Sequence, residues 1–201
     1  NEASDYEKKM LPKQGMVALR KASVEIKRRL KFVLDKEPTL KRLYKYQFFI
    51  ASKLLASQIA FRNDLATIKV VESKNGNVLV TPKKGNFSFI MREYKSSDRL
   101  GEKTIKINRA NTMALRKYLA YRKGLVKHDY LFTGYDGRVM TKAAFGKALQ
   151  KLYESVLGKR IGTRLIRVLW ANENKALIRE SADLSNRMLH SQKQTGQYIK
   201  E

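Results

Sequence analysis

The sequence predicts a single α+β domain, mainly helical, with a small antiparallel sheet of three or four strands. Three observations carry that expectation. Apolar residues recur at helical spacing before residue 60 and again after residue 109. Between them lie short β-branched and aromatic runs separated by turn residues. Apolar residues also make up 43% of the 201, enough for one sizeable core at this length.

Residues 1–15 are polar, carry Pro12 and Gly15, and read as an arm or linker; 16–201 reads as one domain. A helix over 16–35 has Leu19, Ile26, Leu30 and Val33 as its apolar stripe, with Arg20, Lys27 and Lys31 beside it. Pro38 and Thr39 open a second helix whose stripe, Leu40, Tyr44, Phe48, Ala51 and Leu55, is expected in the core. The period then shortens. Strands are expected at 68–71, 78–80, 87–94 and 104–107, split by Asn75-Gly76 and by the turns at 83–85 and 96–101. Helices return at 110–123 and 141–157. In the latter Thr141 can cap, and Phe145, Leu149, Leu152 and Val156 form the buried stripe. Short helical pieces are expected at 161–178, 183–189 and 193–200. The order of helices, small sheet, helices gives the α+β class.

Charge points to the partner. The chain has 43 Lys and Arg against 18 Asp and Glu, a net charge of +25. Such a charge repels itself unless a polyanion neutralises it, so nucleic acid is the expected partner. With no cysteine, a disulfide scaffold, a thiolate zinc site and a Cys nucleophile are all excluded. Two histidines cannot build a His-rich metal site. Lys53 interrupts the best apolar run, which is too short for a membrane span. No signal peptide is visible, and the first residue is Asn1, so a fragment or processed chain is expected.

The inventory also narrows the chemistry. No closely paired carboxylates follow a strand, which disfavours a two-metal nuclease, and no nucleotide-binding G-x-x-x-x-G-K-[ST] loop is present. What remains for phosphoryl transfer is a covalent nucleophile among cations. Arginine forks neutralise the phosphate, Lys or His moves protons, and Tyr, Ser or Thr attacks.

The segment 188–198, Met-Leu-His-Ser-Gln-Lys-Gln-Thr-Gly-Gln-Tyr, places His190 eight residues before Tyr198. Upstream, Thr-Arg-Leu-Ile-Arg sets Arg164 and Arg167 three residues apart, on one helical face. Further back, Phe-Arg-Asn-Asp-Leu ends the second helix and carries Arg62. In this order the residues resemble the tyrosine recombinase (phage integrase) family, from about residue 38 to the chain end.

The resemblance implies the catalytic fold shared by tyrosine recombinases and type IB topoisomerases, and roles for six residues. Arg62, with Asp64 close behind, is similar to the family's first arginine, which follows a helix and precedes the sheet. Lys95, in Tyr-Lys-x-x-x-x-x-Gly, is similar to the hairpin lysine that protonates the leaving 5′-oxygen. Arg167 corresponds to the second arginine, His190 to the histidine of Leu-Gly-His-Ser without its glycine, and Tyr198 to the nucleophile. Arg164 departs from the pattern, standing where the family usually has histidine. Its guanidinium stays protonated, so it can hold a nonbridging oxygen but cannot act as a base. His128 carries no motif.

The wording around Lys95, Arg167 and His190 is most similar to recombinases of virophages and large eukaryotic DNA viruses. The expected activity is site-specific DNA cleavage and rejoining through a 3′-phosphotyrosine, with no metal or other cofactor. Expected partners are double-stranded DNA and further copies of the chain, as a dimer or tetramer in synapsis, with the fragment alone monomeric and no membrane involved. The expected setting is intracellular, in a host nucleus or viral factory. An N-terminal DNA-clamp domain, usual in the family, is expected to be missing. Two alternatives stand beside this reading: a type IB topoisomerase-like enzyme and a non-enzymatic nucleic-acid-binding module. Each residue also has an ordinary role open to it. Arg62 can cap a helix, Lys95 competes with Lys74, Lys83 and Lys84 near strand turns, and Tyr198 is one of ten tyrosines.

Overall fold

The computed structural model describes residues 9–34, 37–58 and 61–174. His190, Tyr198 and the helices expected at 183–189 and 193–200 lie outside these residues. Among the described residues the elements run α1 (Gly15–Leu34), α2 (Leu40–Ser57), a 3₁₀ turn (Asn63–Thr67), β1 (Ile68–Lys69), β2 (Asn77–Val80), β3 (Ser88–Met91), α3 (Ser97–Leu100), β4 (Lys103–Lys106), α4 (Arg109–Arg122), α5 (Lys142–Leu157) and α6 (Thr163–Glu173). This is the mainly helical α+β architecture expected, helices on both sides of a small sheet in sequence.

Side-chain oxygens set three of the helix starts. Thr39, Asn108 and Thr141 stand as extended N-caps and accept from the backbone N–H of Arg42, Asn111 and Ala144. Helix α2 forms the centre. Every side chain from Tyr46 to Ser52 is buried, which covers its whole circumference, and it packs against α1, α4 and α5. Of its expected stripe, Phe48, Ala51 and Leu55 are buried while Leu40 and Tyr44 are only partly so, because they lie in the first turns, near the surface. Phe48 stacks on Phe145 of α5, and Phe145 on Phe132, giving a continuous aromatic layer. On α5, Tyr153 joins Phe145 and Leu149 in the core, whereas Leu152 and Val156 are half-buried.

A buried amide clasps this layer. Gln47 Nε2 donates to the Thr133 carbonyl at 2.7 Å, and Thr133 N–H donates back to Oε1 at 2.8 Å. Both residues are 0% exposed, so each group depends on the other. Nearby, Tyr130 N–H donates to His128 Nδ1, which makes the imidazole neutral with its proton on Nε2, facing Thr133 Oγ1. Burial, with Arg122 adding to it, holds the His128 pKa below the ordinary value.

The sheet differs from expectation in one respect. Its order is β1-β2-β3-β4, with β2–β3 and β3–β4 antiparallel, but β1 pairs with β2 in parallel. The sheet is therefore mixed rather than antiparallel. Asn75-Gly76 does not form a two-residue hairpin. Residues 70–76 loop out and return, so that Asn77 lies beside Ile68 and its amide reaches Thr67. The strands are also shorter than the apolar runs. Residues 92–94 leave β3 because their polar groups bond across the sheet end, and 97–100 coil into α3 instead of an open turn.

Replacing Gln47 with Leu strands the Thr133 N–H and carbonyl in the core, and is expected to cost about 2–4 kcal/mol. Urea unfolding of the variant against the parent measures it, and an unchanged midpoint would show that the clasp is dispensable.

Candidate active site

The 3₁₀ turn begins beside the first of the expected cations. Arg62 is its N-cap in extended conformation, half-buried, at the exit of the segment that follows α2. The turn is fastened at both ends by side chains. At its start, Thr163 Oγ1 donates to Asn63 Oδ1 at 3.0 Å, joining it to the first residue of α6. Arg62 and Arg164 are thus the neighbours of a hydrogen-bonded pair that spans a hundred residues of sequence.

The surroundings leave little slack there. A Cβ on Gly146 of α5 would fall 2.6 Å from Asn63 Nδ2, so only glycine allows α5 to lie this close. Asp64, buried behind Arg62, accepts from Lys142 Nζ at 2.6 Å, a second tie between the turn and α5. Apolar Leu65 and Ala66 complete the turn's inner face.

Helix α6 separates its two arginines by environment. Arg164 is exposed in the first turn, while Arg167 is 3% exposed among Leu165, Ile166, Val168 and Leu169. Three residues turn the helix by about 300°, which leaves the two on one sector. A guanidinium buried in an apolar helix is rare without a task, which singles out Arg167 more sharply than its sequence did. The N-cap of α6 is Gly162, which offers no side-chain oxygen to the first turn.

At the other end of the turn, Thr67 Oγ1 donates to the Asp64 carbonyl and accepts from Asn77 Nδ2, each at 2.8 Å. Asn77 is 0% exposed at the start of β2. Its Nδ2 also donates to the Glu93 carbonyl at 2.8 Å, and its Oδ1 accepts from Arg92 and Glu93 N–H, each at 2.9 Å. Two residues on stands Lys95, exposed in the β3–β4 connection. Tyr94, buried beside it, donates its hydroxyl to the Gly101 carbonyl at 2.7 Å, and burial raises its pKa, keeping it a neutral donor. Ser97 closes the turn with its backbone N–H and hydroxyl on the Tyr94 carbonyl. Gly101 ends α3 at φ +65°, ψ −166°, a conformation that L side chains avoid.

Of the six residues expected, the structure ties the segments carrying Arg62, Arg164 and Arg167 directly, and that of Lys95 through Thr67 and Asn77. His190 and Tyr198 lie outside the described residues. Sequence reasoning missed Asn63, Thr67, Asn77 and Thr163, the groups that make these ties. The signal was faint: a polar residue opening an apolar strand at Asn77.

The surrounding field is cationic. Five acids of the described residues pair with arginines: Glu102, Asp136, Glu154, Glu173, and Glu25, whose pKa Arg28 and Arg29 hold at about 2. Bases outnumber acids 43 to 18, so most of the positive charge has no acid to balance it.

No protein-family model matches the chain, and no curated protein matches it. Solved structures do. A crystal structure of XerA recombinase matches with a TM-score of 0.60 at 14% identity, over 95% of this chain and 58% of that one. The XerH site-specific recombinase in its pre-cleavage complex with difH substrate matches with a TM-score of 0.61 at 16% identity, over 94% and 50%. The Tn1549 transposon integrase bound to transposon right-end DNA matches with a TM-score of 0.52 at 17% identity, over 79% and 54%. The chain therefore spans between 50% and 58% of the length of these relatives. Its fold is that of the tyrosine recombinase catalytic domain.

Thr163→Val removes the donor that joins α6 to the turn and is expected to lower stability by about 1 kcal/mol. Equilibrium urea unfolding tests this; equal midpoints would mean the two segments are held by packing alone.

Proposed function

We propose that this chain is the catalytic domain of a site-specific DNA recombinase or integrase that cleaves and rejoins one strand at a time through a 3′-phosphotyrosine. One observation carries the reading most. The short turn after Arg62 is bonded at one end to the start of the Arg164–Arg167 helix and at the other to the support of the Lys95 turn. That is the set of cations a phosphodiester needs in order to accept a phenolate. The fold match to recombinases and an integrase supports the same class.

The roles follow from the chemistry. In-line attack by the Tyr198 oxygen, its proton released to water, forms the P–O bond to tyrosine and breaks the bond to the 5′-oxygen. The equatorial oxygens gain charge in the transition state, where Arg62 and Arg167 bind them more tightly than in the ground state. Arg164, always charged, grips a nonbridging oxygen, and the positive end of α6 adds to the field. Tyrosine titrates near about 10 in water, so these cations also help it ionise. Lys95 gives its proton to the departing 5′-oxygen, and His190 lies on the motif that neighbours the phosphate. The phosphotyrosine keeps the energy of the broken bond, so rejoining needs neither nucleotide nor metal. The substrate is double-stranded DNA, engaged by two or four copies in synapsis. The motif wording around Lys95 and His190 favours a viral or mobile-element source.

A nicked suicide duplex from the termini of the encoding element, whose short 3′ fragment escapes after cleavage, tests the reading. A covalent protein–DNA band on a denaturing gel is expected for the parent and absent for Tyr198→Phe, which still binds DNA. Tight binding without any band would leave a DNA-binding module instead.

Lys95→Ala is expected to slow cleavage by about 10²-fold or more, the usual worth of a general acid. A 5′-bridging sulfur leaves without a proton, so that substrate is expected to restore the variant. Failure to rescue would move the acid to another lysine.

A further inference from the structure

We propose that Asn77 is a positioning residue for Lys95, setting the reach of its ammonium to the leaving group without touching DNA. This rests on the reading of Lys95 as the general acid. Three observations lead to it.

First, Asn77 spends its full hydrogen-bonding capacity on two segments. Of its two amide protons, one goes to Thr67 Oγ1 and one to the Glu93 carbonyl; its oxygen takes the N–H groups of Arg92 and Glu93. A buried primary amide with all four positions filled has no freedom left to rotate or shift. Second, the groups it holds belong to three successive peptides, the N–H of Arg92, the N–H of Glu93 and the carbonyl of Glu93, where the chain leaves β3. Without that grip three partly buried backbone groups would need other partners, and no other side chain of β2 can both donate and accept. Third, downstream of this grip the turn is fixed on its far side by Tyr94 and Ser97. Lys95 is the exposed residue carried between the two anchorages.

The other end of the amide fixes what the lysine is positioned against. Thr67 closes the turn that begins at Arg62, so Asn77 sets the Lys95 turn relative to the phosphate-binding segment and not only within the sheet. A general acid contributes only when its proton lies within hydrogen-bond reach of the departing oxygen, and a displacement of about 1 Å costs catalysis steeply. Asn77 is not replaceable in kind: Asp lacks the two donors, and Gln carries the amide one carbon too far.

The test separates positioning from ordinary structural support by the leaving group. The full chain carrying Asn77→Ala is compared with parent and Lys95→Ala on two suicide duplexes, one with the normal 5′-oxygen and one with a 5′-bridging sulfur. Thr67→Val, which removes only one of the four partners, serves as the milder variant, and circular dichroism monitors folding.

Positioning predicts a loss of at least about tenfold for Asn77→Ala on the oxygen substrate and a rate within about threefold of parent on sulfur. Thr67→Val should show the same selectivity at smaller size. Equal losses on both substrates, or no loss on either, overturn the proposal. If Asn77→Ala does not fold, Thr67→Val decides by the same two rates. The underlying reading fails separately: sulfur that does not restore Lys95→Ala removes Lys95 as the acid, and a parent that forms no adduct on either substrate removes the enzyme itself.

Discussion

A five-residue turn with polar side chains cannot sit against a protein core unless each buried polar group finds a partner there. The turn from Asn63 to Thr67 meets that constraint at both ends, through Thr163 and Asn77, and in the middle through Asp64 and Lys142. Much of the molecule's arrangement follows. The contact of Asn63 requires a glycine in α5; that of Thr67 brings β2 alongside β1 in parallel; the amide beyond it fixes where β3 ends. Segments from three distant stretches of sequence, those that carry Arg62, Lys95 and the Arg164–Arg167 helix, are joined by hydrogen bonds between neutral groups.

This division of labour solves an electrostatic difficulty. A chain of net charge +25 repels itself, and bringing more cations together raises that cost. Direct bonding among arginines and lysines is impossible, since none can accept a hydrogen bond. Amides and hydroxyls, which both donate and accept, can do the holding without adding charge. The helical body supplies the remaining stability through α2, whose side chains from Tyr46 to Ser52 are buried all round. Of the expected cations, Lys95 and Arg164 are then exposed, Arg62 is half-buried and Arg167 is buried.

The helices were legible because their stripes have a period and their caps have a chemistry. Thr39 and Thr141 sit one residue ahead of the helices they open, and α5 keeps its expected bounds to within a residue; α2 instead stops at Ser57, short of the Phe-Arg-Asn-Asp-Leu expected to end it, because 63–67 coil into the 3₁₀ turn. The central sheet was legible as strands but not as topology. Asn75-Gly76 signals a hairpin locally, while the direction of β1 is decided by Thr67 and Asn77, whose contact cannot be inferred from spacing. Arg62, Lys95, Arg164 and Arg167 were singled out by motif. Their relative depth was not, since Arg164 and Arg167 look alike in sequence and only the packing around α6 distinguishes them. The supporting residues were the least visible. Asn and Thr are common loop residues, and burial alone marks Asn77 as different.

The clasp between Gln47 and Thr133 has an evolutionary consequence. It joins positions 86 residues apart, so the sheet and its turns form one long excursion that leaves the helical body and returns to it at a fixed point. Tips of that excursion, such as the turn around Gly85, are exposed and touch the body through the Arg116 guanidinium on the Pro82 and Gly85 carbonyls, so lineages can lengthen or rewrite them at small cost. Diversity in what the sheet edge meets can then accumulate while the body that the clasp closes stays the same.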